Sequence, residues 1–134
     1  IVLIAPAADM TNDLMWDAFT PEARQQLEMR GVFHRPSEYG DPMPITLKLL
    51  EDGAKHLLLK TGLELPCPVR ILQGSSDPDV PPSHALEVFE ALSGPDITMT
   101  LIKGGDHRLS TPGQLKLIRE TALQLAERAD GITP

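Results

Sequence analysis

The chain has 134 residues, with 12 Lys and Arg against 19 Asp and Glu for a net charge of −7. That length suits one domain with one core, and that charge repels nucleic-acid phosphates and anionic membrane surfaces, so no nucleic acid and no membrane is expected as a partner. A hydrophobic fraction of 41% and 13 prolines of ordered placement exclude a disordered segment, while a lone cysteine, Cys67, excludes an internal disulfide. No Cys/His cluster has zinc spacing. No membrane span, metal or other cofactor is expected, and the setting is read as reducing and cytoplasmic.

Ile1 to Ala5 is a continuous apolar run ending at Pro6, the pattern of a strand buried on both faces of a parallel sheet. It has neither an initiator Met nor a basic leader, and it starts inside a strand whose neighbours are absent. The chain is therefore expected to be a piece of a longer protein. Asp9, just past this strand, either caps the next segment and bonds loop amides or faces the crevice at the strand end.

From Met10 to Pro66 the chain changes character and reads as a helical insertion between two strands. Thr11-Asn12-Asp13 looks like a cap before Leu14 to Phe19; Thr20-Pro21 is a second start, with Pro at the first helical position, and Gly31 is its stop. Val32 to Met43, with His34, Pro36, Gly40 and Pro42, reads as loop. A third helix is predicted from about Pro44 to Lys60, on Ile45, Leu49, Leu50, Ala54, Leu57 and Leu58, ending before Gly62.

Pro66-Cys67-Pro68 returns the chain in extended geometry, with Cys67 a small filler that has no basic neighbour to make it a thiolate. Next come an apolar strand (Val69 to Gln73), a turn (Gly74 to Pro82), an amphipathic helix (Ser83 to Leu92, with Ala85, Leu86, Val88 and Phe89 apolar) and a second strand (Ile97 to Ile102). Gly104-Gly105-Asp106-His107 leads from that strand to a last amphipathic helix (Pro112 to Arg128) and a tail from Asp130. In a strand, crossover helix and parallel strand, the carboxyl ends of both strands face one crevice. Asp77 and His107 are therefore predicted to meet there. An imidazole that takes a proton from a nucleophile needs a carboxylate on its other ring nitrogen to hold the tautomer. Asp79 competes for that role, and Asp in such a turn also bonds its own backbone. His34, His56 and His84 are read as surface or packing residues, and Asp106 and Arg108 as paired together, paired with substrate, or solvated.

Gly74-x-x-Asp77-x-x-Val80-Pro81, followed by a helix, a strand and Gly105-Asp106-His107, resembles the last third of a serine α/β-hydrolase. Ala7-Ala8-Asp9, Cys67-Pro68-Val69-Arg70 and Asp106-His107-Arg108 narrow the resemblance to the acyl-thioesterase and acyl-glucuronide-esterase branch known as abhydrolase domain-containing protein ten and its bacterial relatives. The resemblance implies an α/β fold in which residues 1–134 form the C-terminal portion of one hydrolase domain. Parallel strands with crossover helices carry the Asp and His of a triad within residues 67–134, and residues 10–66 form an inserted helical lid. It makes Asp77, third after the Gly, the acid and His107 the base.

The family's Ser sits in a Gly-x-Ser-x-Gly elbow that these 134 residues lack; Ser75 and Ser76 follow Gly74 without the second glycine. The nucleophile is expected upstream, and the isolated chain is expected to be inactive. The implied substrates are small-molecule carboxylic esters or acyl thioesters with a fairly large acyl group. Met10, Leu14, Met15, Trp16 and Phe19 either cradle that group or pack the lid onto the sheet. The alternative is a non-catalytic α/β-hydrolase-like domain that binds a small apolar ligand. Retention of both Asp77 and His107 in the triad order favours the hydrolase.

Overall fold

The computed structural model describes residues 1–36 and 40–130. In chain order its elements are β1 (Val2–Ile4), a π-helical turn (Thr11–Trp16), α1 (Pro21–Arg30), β2 (Val32–Arg35), β3 (Met43–Thr46), α2 (Leu47–Gly53), β4 (Leu63–Glu64), β5 (Val69–Gly74), α3 (Pro82–Ala91), β6 (Leu92–Ser93), β7 (Ile97–Ile102) and α4 (Pro112–Asp130). They fall into two compact units, residues 1–7 with 59–134 and residues 8–58.

The first unit is built on a parallel sheet of order β1-β5-β7. Central β5 is buried at every residue but Arg70, which is what its unbroken apolar run demands of a strand covered on both faces. β7 pairs with it from Val69↔Ile97 to Gly74↔Ile102 and is half covered, with Thr98 and Thr100 turned to solvent and Ile97, Met99 and Ile102 partly buried. β1 is an edge strand. Val2 and Leu3 are half-buried and Ile4 is exposed within these 134 residues.

α3 connects β5 to β7 and buries His84, Ala85 and Val88. Pro82 opens it at the first position, where the missing N–H has no intrahelical partner to lose. α4 begins with a reciprocal cap. Thr111 Oγ1 accepts the Gln114 amide at 3.4 Å and Gln114 Oε1 accepts the Thr111 amide at 3.0 Å. The helix extends to Asp130, past the expected Arg128, and residues 131–134 of the expected tail lie outside the described residues. Arg70 and Arg128 each approach Asp96 Oδ2 at 2.9 Å, with the Arg70 guanidinium foremost in holding that carboxyl below its ordinary value.

The second unit has its own core of Leu27, Ile45 and Leu50, with Met15, Trp16, Phe19 and Phe33 packed against it. α1 is capped as its sequence predicts: Thr20 accepts the Ala23 amide, Pro21 opens the helix and left-handed Gly31 closes it. Only Ala23 and Leu27 of this polar helix are buried. The expected loop from Val32 to Met43 and the expected helix from Pro44 are corrected at their ends. β2 and β3 form an antiparallel hairpin with Phe33 opposite Ile45, and residues 37–39 between them lie outside the described residues. The helical periodicity hides β3, since Ile45 fits either pattern. The boundary signal is Thr46, which caps α2 by accepting the Leu49 amide at 3.1 Å. α2 stops at Gly53, where an added Cβ would collide with the Thr11 side chain.

Another glycine governs the first unit. A Cβ on Gly74 would run into the carbonyl oxygens of Gly105 and Asp106, because the chain leaving β5 and the chain leaving β7 touch backbone to backbone there. Gly74→Ala is expected to destabilise the protein by about 2 kcal/mol, the usual scale for overfilling a packed site. Gly113→Ala, in the first turn of α4 with open space around it, should be neutral or stabilising. Chemical denaturation of both variants checks the contrast, and equal effects would contradict it.

Candidate active site

The loops after β5 and β7 are stitched together beyond the end of the sheet. The Ser75 amide donates to Ile102 O and the Ser76 amide to Gly105 O, both at 2.9 Å, and the Gly104 amide donates to Ser75 Oγ at 2.8 Å. Ser75 is thereby occupied as a loop fastener. On the second loop, Asp106 Oδ1 accepts the Leu109 amide at 2.9 Å, and Leu109 is wholly buried at a left-handed φ of 45°. Asp106 is therefore a turn-former, and His107 sits within the turn that it closes.

This stitching brings Asp77 and His107 together. Asp77 Oδ2 lies 3.0 Å from His107 Nδ1, with the carboxylate side chain fully buried and the ring 43% exposed. An ionised carboxylate only accepts, so the ring N–H at Nδ1 donates, which in a neutral ring leaves Nε2 with its lone pair. The other carboxylate oxygen, Oδ1, accepts the amides of Asp79 and Val80, both at 2.9 Å. Local turn bonding and imidazole bonding, rival readings of Asp77 in the sequence, are thus made by different oxygens of one group. Burial alone would raise this carboxyl, but the Val80 amide, the His107 ring and the Asp79 amide together hold it below its ordinary value of 3.8.

Asp79 is exposed, and its backbone N–H serves Asp77. The N-cap of α3 is Pro81, which makes no side-chain bond. Asp77, Asp79 and His107 offer ligand atoms within 4.8 Å of one another, a grouping that could hold a cation. His84 is buried, with Glu87 at 3.6 Å, and His34 and His56 are exposed. Asp9 accepts the Leu58 amide at 2.8 Å from a left-handed φ of 55°, fastening the two ends of residues 8–58. Trp16 lies under the Arg24 guanidinium, 5.0 Å from the ring centre, and Phe19 meets Phe33 edge to face at 5.5 Å.

One residue of the site carries no sequence expectation. Gln73, the last side chain of β5, is completely buried, and its Nε2 lies 3.2 Å from Asp77 Oδ2, 2.9 Å from Val80 O and 3.1 Å from Gly74 O. All three neighbours are acceptors, which fixes the amide orientation. Among the described residues its Oε1 has no hydrogen-bond partner. The available signal is a polar residue closing a strand whose buried positions are otherwise apolar.

No family model matches the chain. It is 29% identical over 136 residues to the mouse protein named palmitoyl-protein thioesterase ABHD10, mitochondrial, a match that takes in 100% of this chain and 46% of that protein. Among solved structures it is similar to a presumed hydrolase from Agrobacterium vitis S4, with a TM-score of 0.89 and 41% identity over 92% of this chain and 48% of that one. It is also similar to mouse α/β hydrolase domain-containing protein 10, with a TM-score of 0.80 and 29% identity over 96% of this chain and 52% of that one. The chain thus spans about half the length of the relatives it matches. Its fold is that of the C-terminal part of an α/β hydrolase, and the resemblance to the ABHD10 branch is borne out. The cytoplasmic expectation is not. The mouse protein and its rat, bovine, orangutan and human counterparts are all named as mitochondrial; a lone cysteine rules out an internal disulfide but carries no address. Among the described residues no helix is long and apolar enough to cross a membrane.

The depressed Asp77 carboxyl gives a pH signature. The unfolded chain binds this proton more tightly than the folded one, so Asp77 contributes stability above the ordinary value of 3.8 that is lost as pH falls through the folded value below it. Denaturation of the wild type between pH 6 and about 2 should show a steeper acid loss than that of Asp77→Asn. Parallel curves would contradict the assignment.

Proposed function

We propose that this chain supplies the acid and base of a serine hydrolase that cleaves carboxylic esters or acyl thioesters, the nucleophilic Ser coming from sequence outside these 134 residues. The observation that carries the reading is the 3.0 Å contact between buried Asp77 Oδ2 and His107 Nδ1. With Nδ1 engaged by Asp77, Nε2 of the half-exposed ring is the nitrogen that takes the Ser hydroxyl proton as the oxygen attacks the acyl carbon. The imidazolium so formed, stabilised by the Asp77 carboxylate, returns that proton to the leaving alcohol or thiol. Water then repeats the sequence on the acyl-enzyme, releasing the acid and restoring Ser. The thioesterase name of the mouse relative supports an acyl thioester as the substrate class. We also propose residues 10–66 as the lid insertion that sets acyl-length preference; the self-contained core of residues 8–58 supports treating it as an exchangeable unit.

Asp77→Asn in the full-length protein is expected to lower turnover by ~10⁴-fold, as the equivalent change does in a serine protease, with Asp79→Asn costing far less and both variants folded at the assay temperature by thermal melting. A crippled Asp79→Asn beside an active Asp77→Asn would reverse the assignment. Absence of covalent labelling of the full-length protein by a fluorophosphonate would sink the hydrolase reading, and ester turnover by the 134-residue chain alone would contradict an external nucleophile. Exchanging residues 10–66 for those of a relative should move the acyl-length profile, and an unmoved profile would remove the lid from substrate selection.

A further inference from the structure

We infer that Gln73 is a positioning residue of the Asp77–His107 pair, its buried amide donating to the same carboxylate oxygen that receives the imidazole N–H; the inference rests on the hydrolase reading. Asp77 Oδ1 is held by two backbone amides, and a carboxylate anchored at one oxygen alone can still swing the other. Oδ2 faces the exposed ring of His107 on one side, and Gln73 Nε2, at 3.2 Å, gives that oxygen a second donor. Gln73 cannot drift, because Nε2 also sits 2.9 Å from Val80 O, at the far end of the turn that carries Asp77. One amide thus ties the end of β5, the acid and the close of its turn.

Packing alone does not call for this residue. Val69, Ile71 and Leu72 of the same strand are buried apolar side chains, and an apolar side chain of similar length would fill the position without burying an amide oxygen that has no partner among the described residues. An unsatisfied buried acceptor lowers stability. What the buried amide offers in return is its donor end, which meets the Asp77 carboxylate together with the carbonyls of Val80 and Gly74.

Gln73→Met keeps the length and removes both N–H groups. In the full-length protein it is expected to lower kcat by about tenfold, the scale of losing one hydrogen bond to a charged group, with KM within about twofold because Gln73 does not meet substrate. In an Asp77→Asn background the same change should lower kcat no further, since Gln73 acts through the carboxylate. An unchanged kcat, or an equal loss in both backgrounds, would overturn the inference; a merely structural role gives the second pattern.

A second readout needs neither turnover nor that variant. In Gln73→Asn the shortened amide withdraws from Oδ2, and the titration midpoint of a ¹³C-labelled Asp77 carboxyl, followed by NMR, should rise. An unmoved midpoint overturns the inference. If the wild type hydrolyses no ester while the midpoint moves, the hydrolase reading fails and the hold of Gln73 on Asp77 stands; if the wild type is active and neither readout responds, the positioning role alone falls.

Discussion

At Gly74 the backbone leaving β5 passes so close to the carbonyl oxygens of Gly105 and Asp106 that no side chain fits between them. That approach makes a site out of two loops. It lets the Ser75 and Ser76 amides reach the end of β7 and its loop, and it sets the Asx turn of Asp77 against the turn that Asp106 closes around His107. With any larger residue at position 74 the loops would have to part, and a 3.0 Å contact between a buried carboxylate and an imidazole is sensitive to small displacements.

The buried Asp77 carboxylate can remain ionised because its oxygens are provided for. Two backbone amides take one oxygen, and an imidazole and a buried Gln amide take the other. Charge buried without such partners is neutralised by protonation. Here the hydrogen bonds outweigh burial, and the carboxyl is held below its ordinary value. The same arrangement leaves Nε2 as the ring nitrogen that Asp77 does not engage, on a ring 43% exposed.

Most of the first unit is legible in the sequence because its signals are local and redundant. β7 and the start of β5 fall where their apolar runs do, Pro82 opens α3, and Gly74 with Asp77, Val80 and Pro81 marks a turn whose geometry comes from residue type. The Asp77–His107 contact is legible from topology, since parallel neighbours present their carboxyl ends together. The second unit is less so. Ile45, Leu49 and Leu50 satisfy a helical period although the first of them belongs to a hairpin strand, and the capping hydroxyl of Thr46 is a weaker mark than that periodicity. Gln73 escapes notice because a single polar residue at a strand end looks like a boundary; only the folded chain brings its amide onto the acid. Localisation is misread for a different reason: it is not a property of packing at all.

The central claim is that Asp77 fixes the tautomer of His107, and the most direct measurement is the ¹⁵N NMR signature of the neutral His107 ring in the full-length protein. The account predicts the Nδ1–H tautomer, with the proton on the nitrogen facing Asp77 and with that preference lost in Asp77→Asn. A neutral ring carrying its proton on Nε2, or a Nδ1–H preference that survives Asp77→Asn, would contradict it.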